Sequence, residues 1–147
     1  MPITNVKVGD ILEYQIIDNT IPAFLHNSKD AGYDLYTAKT KWIWPFKITK
    51  IPVNIKMILP DNTFGLITTR SSVYDMGIDI LNGVIDEPYR GIPHVAGYRV
   101  GLFPKRIPKG SRIAQLIIIP NIEPNTLESE IKNDTIRGEK GFGSTGL

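Results

Sequence analysis

Apolar residues in this chain recur at a spacing of two. Ile51, Val53, Ile55 and Met57 alternate with neighbours of the other kind, and so place their side chains on one face of an extended backbone. Similar runs, rich in Ile, Val and aromatics, occur at VKVGDILEYQII, WIWPFKITKIPVNIKMIL, FGLITTR, GYRVGLF and RIAQLIII. Proline and glycine interrupt them roughly every eight to twelve residues, the rhythm of a sandwich or barrel. The best helix candidate, Ser71 to Gly77, is too short to persist without tertiary support. These features predict an all-β domain with a jelly-roll-like double sheet. A chain of 147 residues can bury one real core without staples.

Composition narrows the chemistry. There is no cysteine, which excludes disulfides, thiolate metal sites and a cysteine nucleophile. A net charge of +2 is too small to make nucleic acid or an anionic membrane the expected partner. The first residues, MPITNVKVGDILEYQ, carry Asp10 and Glu13 and lack the apolar core of a signal peptide. No run reaches the ~18 apolar residues of a bilayer span. A soluble, cytoplasmic protein is the expectation.

Five polar, glycine-containing islands break the strand pattern: AGYDLYTA (31–38), TRSS (69–72), NGVIDEPYRG (82–91), GSRIAQL (110–116) and RGEKGFGSTG (137–146). Each has a plain structural reading as a turn or a chain end. In the third, Asn82-Gly83 predicts a β-hairpin with Asp86-Glu87-Pro88 at its tip. Most turn aspartates do no more than shape the turn. Here, however, Val84 and Ile85 precede Asp86, and burial among such neighbours would make a carboxylate a stronger base. Tyr89 adds a flat face, and backbone N–H and C=O groups at a hairpin mouth can read the edge of a planar base.

In TRSS, Arg70 offers a fork that matches phosphate oxygens, and Ser71 and Ser72 add neutral donors. In GSRIAQLIII (110–119), Ile113, Leu116 and Ile118 are expected in the core and Arg112 on the surface. Gln115 is polar among core-formers and needs partners if buried. Asp34 alone is a poor metal ligand, except for Mg²⁺, which keeps its waters and takes other ligands from substrate phosphates. The terminal island combines flexible glycines with Phe142, able to stack, and with Arg137, Ser144 and Thr145, able to reach phosphates. That mixture suits a mobile cover for a flat, anionic ligand. Neither a Walker loop nor a Rossmann fingerprint is present.

In order and spacing, the islands resemble the five motifs of the trimeric all-β dUTPase family, from about Ala31 to Gly146, most strongly at GVIDEPYRG and RGEKGFGSTG. The resemblance implies a β-clip, a distorted jelly-roll-like barrel over residues 1–136, with residues 137–147 as a lid arm. It implies a homotrimer with active sites at subunit interfaces, and Mg²⁺-dependent hydrolysis of dUTP to dUMP and pyrophosphate. By that likeness Asp86 is the general base, and Gly83, Val84 and Ile85 bind uracil through their backbone. Tyr89 packs on the deoxyribose, excluding a 2′-hydroxyl. Arg70, Ser71, Ser72 and Gln115 contact the triphosphate. Phe142 with Gly143 covers the base, Arg137, Ser144 and Thr145 reach the outer phosphates, and Asp34 holds Mg²⁺ through water.

Some positions depart from the family pattern. Thr69 stands where proline is common, Ser72 where glycine is frequent, and Ser111 where aspartate usually precedes Arg112, which weakens an ion pair expected to position that arginine. The segment KWIWPFK (41–47) either exposes two tryptophans or covers core or a subunit contact, the second being the expectation. A deaminase of the same fold needs a glutamate at the base, for which Glu87 is the only nearby candidate. A non-catalytic binding protein on the same scaffold would have no need to keep Asp86, Tyr89 and Phe142 together.

Overall fold

In a computed structural model, residues 10–143 are described. The elements run in chain order β1 (Glu13–Ile16), β2 (Phe24–Leu25), β3 (Gly32–Tyr36), β4 (Lys41–Ile43), β5 (Thr49–Pro52), β6 (Ile55–Ile58) and β7 (Thr63–Thr68). Helix α1 (Ser71–Asp75) follows. Then come β8 (Ile78–Ile80), β9 (Gly83–Ile85), β10 (His94–Arg99), β11 (Lys105–Ile107) and β12 (Arg112–Pro120). All pairings are antiparallel, and the strands form four small sheets that do not close into a barrel.

The largest sheet has the order β2-β3-β12-β7-β9, with nine-residue β12 at its centre and β9 at its edge. A second sheet is β5-β10-β8, and β1-β6 and β4-β11 are two-stranded ribbons. The period of two decides what each strand buries. Ile51, Val53, Ile55 and Met57 all enter one core with Leu35, Ile43, Ile67, Val95, Ile113 and Leu116. Ile118, expected inside, is only partly buried against it.

Two buried polar side chains lock this core. Asn54 accepts from the Asp18 N–H at 2.9 Å and donates to the carbonyls of Asp18, Ile21 and Pro22 at 3.0–3.2 Å. Thr37 donates to the Pro108 carbonyl at 3.0 Å and accepts from the Ser111 N–H at 3.1 Å. Sequence alone gave no sign that Asn54 closes the 17–22 turn.

The KWIWPFK segment divides between the two readings. Ile43 is fully buried, whereas Trp42, in β4, and Trp44, just after it, are half exposed. Residues 121–143 carry no strand or helix and are exposed throughout, including Ile122, Leu127, Ile131, Ile136 and Phe142.

Candidate active site

The sheet edge at β9 builds the first half of the site. Gly83, Val84 and Ile85 pair with β7 on one side only, through Ile67, Leu66 and Gly65. Their other backbone edge is open among the described residues. Asp86 follows directly, and a turn closed by Tyr89 N–H to the Asp86 carbonyl at 3.0 Å brings the tyrosine back beside it. These residues line a concavity of about 190 Å³ whose remaining wall is Ile67, Pro93 and His94. Tyr89 and His94 are both tied to one acceptor: the Tyr89 hydroxyl donates to the Ile92 carbonyl at 3.2 Å, and His94 Nδ1 donates to it at 2.8 Å.

Two expectations fail here. Residues 82–91 are not a hairpin, because β9 pairs with β7 while the next strand, β10, joins β5 and β8 in another sheet. The Asn-Gly pair marks a turn, but which sheet each flanking strand enters is set by long-range packing. Asp86 is also exposed rather than buried, with Val84 two-thirds exposed beside it.

The second half of the site gathers around Asp34, in the middle of β3. Arg70 Nε donates to Asp34 Oδ1 at 2.8 Å, and Arg112 Nη1 donates to Oδ2 at 3.3 Å. Arg70 Nη1 also donates to Ser72 Oγ at 3.1 Å and to the Arg112 carbonyl at 3.2 Å. Gln115 stands directly opposite Asp34 in the β3-β12 register and donates to the Thr69 carbonyl at 2.9 Å, which satisfies its partly buried amide. Ser71 is exposed at the start of α1. Arg112 is exposed, as expected of a surface charge; Ser111 carries no carboxylate, and the arginine's ion-pair partner is Asp34.

No hydrogen bond or ion pair joins the two halves among the described residues. Arg137 Nε donates to the Lys140 carbonyl at 2.9 Å within a local turn, and Phe142 is fully exposed. Gly143 has φ +71°, left-handed backbone that suits glycine. Ser144 and Thr145 lie outside the described residues.

As a metal site the arrangement is limited. No group of three or more His, Asp or Glu able to hold a metal occurs among the described residues. Asp34 sits between two guanidinium groups that would repel a bare cation. Each carboxylate oxygen keeps spare lone pairs, so Asp34 can still accept from a metal-bound water. The donor set fits Mg²⁺ held by water and phosphates, not a protein cage. No helix among the described residues is long and apolar enough to cross a membrane.

A sequence profile for dUTPase matches residues 20–146. The deoxyuridine 5′-triphosphate nucleotidohydrolase of variola virus is 43% identical over 117 residues, covering 80% of each chain. That of fowlpox virus is 38% identical over 143 residues, covering 94% of this chain and 98% of its own. Among solved structures, the Staphylococcus bacteriophage 80alpha dUTPase G164S mutant with dUpNHpp superposes with a TM-score of 0.82. It is 28% identical, with 94% of this chain and 99% of that one covered.

Proposed function

Because this chain belongs to the dUTPase family and hydrolyses dUTP to dUMP, we propose that Asp86 is the general base of that reaction. Asp86 takes a proton from a water that attacks the α-phosphorus, the bond to the bridging oxygen breaks, and pyrophosphate leaves. Positioning and charge neutralisation carry most of the rate, so one base and a cradle of donors are enough.

The observation that carries this reading is the β9 concavity. It presents an unpaired strand edge, a carboxylate and a tyrosine ring side by side. The open N–H and C=O groups of Gly83, Val84 and Ile85 read the edge of uracil as a neighbouring strand would. Cytosine would leave one of those groups unpaired. Tyr89 packs on the deoxyribose and excludes a 2′-hydroxyl. At about 190 Å³ the concavity is smaller than the ~300–1,000 Å³ of pockets for whole ligands, so it suits the base and sugar alone.

The triphosphate then falls to Arg70, Ser71, Ser72 and Gln115, with Asp34 accepting from a water on Mg²⁺. When bound, the metal offsets charge on the leaving phosphates. Both halves, and the uncovered apolar side chains of residues 121–143, are consistent with a homotrimer whose sites lie between copies. In it the arm, residues 137–147, reaches a neighbouring site, where Phe142 with Gly143 covers the uracil and Arg137, Ser144 and Thr145 meet the outer phosphates. Glu87, the acid a deaminase would require, is engaged elsewhere: its Oε2 accepts from the Asn62 N–H at 3.1 Å.

Asp86→Asn tests the assignment. Pyrophosphate release from dUTP should fall by roughly 10²–10⁴, the span general-base catalysis contributes, while affinity for a non-hydrolysable dUTP analogue stays unchanged. Near-normal release by this variant would show that another group serves as the base.

A further inference from the structure

The net charge of +2 averages over charges that are segregated along the chain. Residues 35–60 carry five lysines and no Asp or Glu. Residues 88–122 carry six Lys or Arg and likewise no acid, while Glu123, Glu128, Glu130 and Asp134 follow them. The fold sets the two acid-free stretches side by side, because β4 pairs with β11 and β5 with β10. Lys39, Lys47, Lys50 and Arg106 are exposed there, and none has an ion-pair partner among the described residues. Such a group of like charges is complementary to an anionic surface.

Apolar side chains are exposed beside these cations. Loop 44–48 joins β4 to β5 and loop 100–104 joins β10 to β11, so both run between the same two strand pairs. Phe46 is 98% exposed, Leu102 81% and Phe103 76%, with Ile48 and Val100 more than half exposed and Trp42 and Trp44 about half. The two loops are braced together. Arg99 N–H donates to the Trp44 carbonyl at 3.2 Å, its Nε to the Phe103 carbonyl at 3.0 Å, and its Nη1 to the Met76 and Gly77 carbonyls at 2.7 Å. Little ordering entropy is then left to lose on binding. Phe46 has φ +58°, left-handed backbone that a bulky residue seldom adopts, yet its ring buries nothing in its own chain.

A nucleic acid and a lipid surface both match that charge, and the side chains choose between them. Bases stack on flat rings, which Ile48, Val100 and Leu102 do not have. Hydrocarbon takes aliphatic and aromatic groups alike, in proportion to the area buried. Tryptophan suits the headgroup level, where its apolar body and its N–H are both satisfied. We propose that loops 44–48 and 100–104 form a docking surface for an anionic lipid bilayer. Phe46, Leu102 and Phe103 enter the acyl boundary, Trp42 and Trp44 sit among the headgroups, and Lys39, Lys47, Lys50 and Arg106 meet lipid phosphates. The chain lies on the bilayer without spanning it. This surface shares no residue with the β9 concavity or the Asp34 cluster, so docking is separable from the dUTP chemistry.

Trp42 and Trp44 are the only two tryptophans of the chain, so intrinsic fluorescence reports on this surface alone. The intact assembled protein is titrated with vesicles of phosphatidylcholine, or of equimolar phosphatidylcholine and phosphatidylserine. Co-sedimentation, dUTP turnover and Tm are measured in parallel. The equimolar vesicles should sediment the protein, move its emission to shorter wavelength and shield it from acrylamide. Phosphatidylcholine alone should bind at least about tenfold more weakly, and ~0.5 M salt should remove that difference. Lys47→Gln with Lys50→Gln should weaken binding about 25-fold, roughly fivefold per lysine. Phe46→Ser with Leu102→Ser should weaken it at least about tenfold, and both double variants should keep wild-type turnover and Tm. Where the apolar variant fails to fold, the lysine pair decides, since both side chains are exposed and unpaired. The proposal falls if the emission ignores both vesicle types, if both bind equally, or if neither double variant weakens binding. It falls too if the indoles are already shielded from acrylamide without vesicles, which would place this face between copies. A shift produced by single-stranded oligothymidylate but not by vesicles would make the surface a nucleic-acid site instead.

Discussion

Gly91 lies against the ring of Tyr89, and a single methyl group there isolates what the ring does. A Cβ on residue 91 would overlap Tyr89 Oη and stand 2.6 Å from Cζ and 3.1 Å from Cε2. The first two are closer than real Cβ atoms approach, so Gly91→Ala must displace the ring by several tenths of an ångström or more. The ring has somewhere to go, because Tyr89 is 46% exposed. Its swing breaks the hydroxyl bond to the Ile92 carbonyl, costing about 0.5–1.5 kcal/mol. Replacing glycine restricts the unfolded chain and returns about 0.4–1 kcal/mol where the backbone is unstrained. The net loss is then about 1 kcal/mol or less, a fall in Tm of no more than about 4 °C for a chain this size.

Selectivity should suffer much more than stability. If the ring is the barrier to a 2′-hydroxyl, displacing it removes steric discrimination of about 1–3 kcal/mol, roughly 10- to 100-fold in the kcat/KM ratio of dUTP to UTP. Pyrophosphate release from each nucleotide measures that ratio, with Tyr89→Ala as the reference. A Gly91→Ala enzyme that keeps the wild-type ratio and wild-type Tm would refute the reasoning, since the ring would have moved without consequence. A Tm fall beyond about 10 °C would mean that the loop backbone, not the ring, yields.

Three other outcomes follow from the same geometry. Removing residues 137–147 should lower turnover at least about tenfold with Tm unchanged, because its described residues, 137–143, are all exposed; calorimetry and a pyrophosphate assay check both halves. Asn54→Ala should destabilise by about 3 kcal/mol, a Tm fall of roughly 6–12 °C, since it orphans buried backbone groups of the 17–22 turn. Asp18 is held well below the usual carboxylate range, first by its bond from Lys109 and then by those from Thr20. A depressed folded-state value contributes stability that is complete above about pH 4 and is lost as pH falls further. Lys109→Met should therefore flatten the acid limb of a stability-versus-pH curve below pH 4, and high salt should mimic it, because the pair is exposed.

The period of two was enough to place the interior. Ile51, Val53, Ile55 and Met57 went where alternation put them, because a strand buried on one face leaves no choice of register. What local sequence could not carry was pairing between distant segments. Asn82-Gly83 signals a turn wherever it occurs, yet β9 and β10 separate because the apolar faces of β7 on one side and of β5 and β8 on the other compete for them. The buried role of Asn54 depends on a turn thirty-odd residues away, and no local pattern announces it. The bulge in β12, where its register against β3 shifts between Arg112 and Ala114, has the same origin.

That bulge bears directly on the chemistry. Asp34 read alone is a carboxylate in search of a cation, and Mg²⁺ is the natural candidate. With Arg70 and Arg112 on its two oxygens, the cation need is already met, and the cluster as a whole is positive. A residue type thus indicates what chemistry is possible at a position, while its neighbours decide the sign of the field there. At Asp34 that field favours an anion such as phosphate.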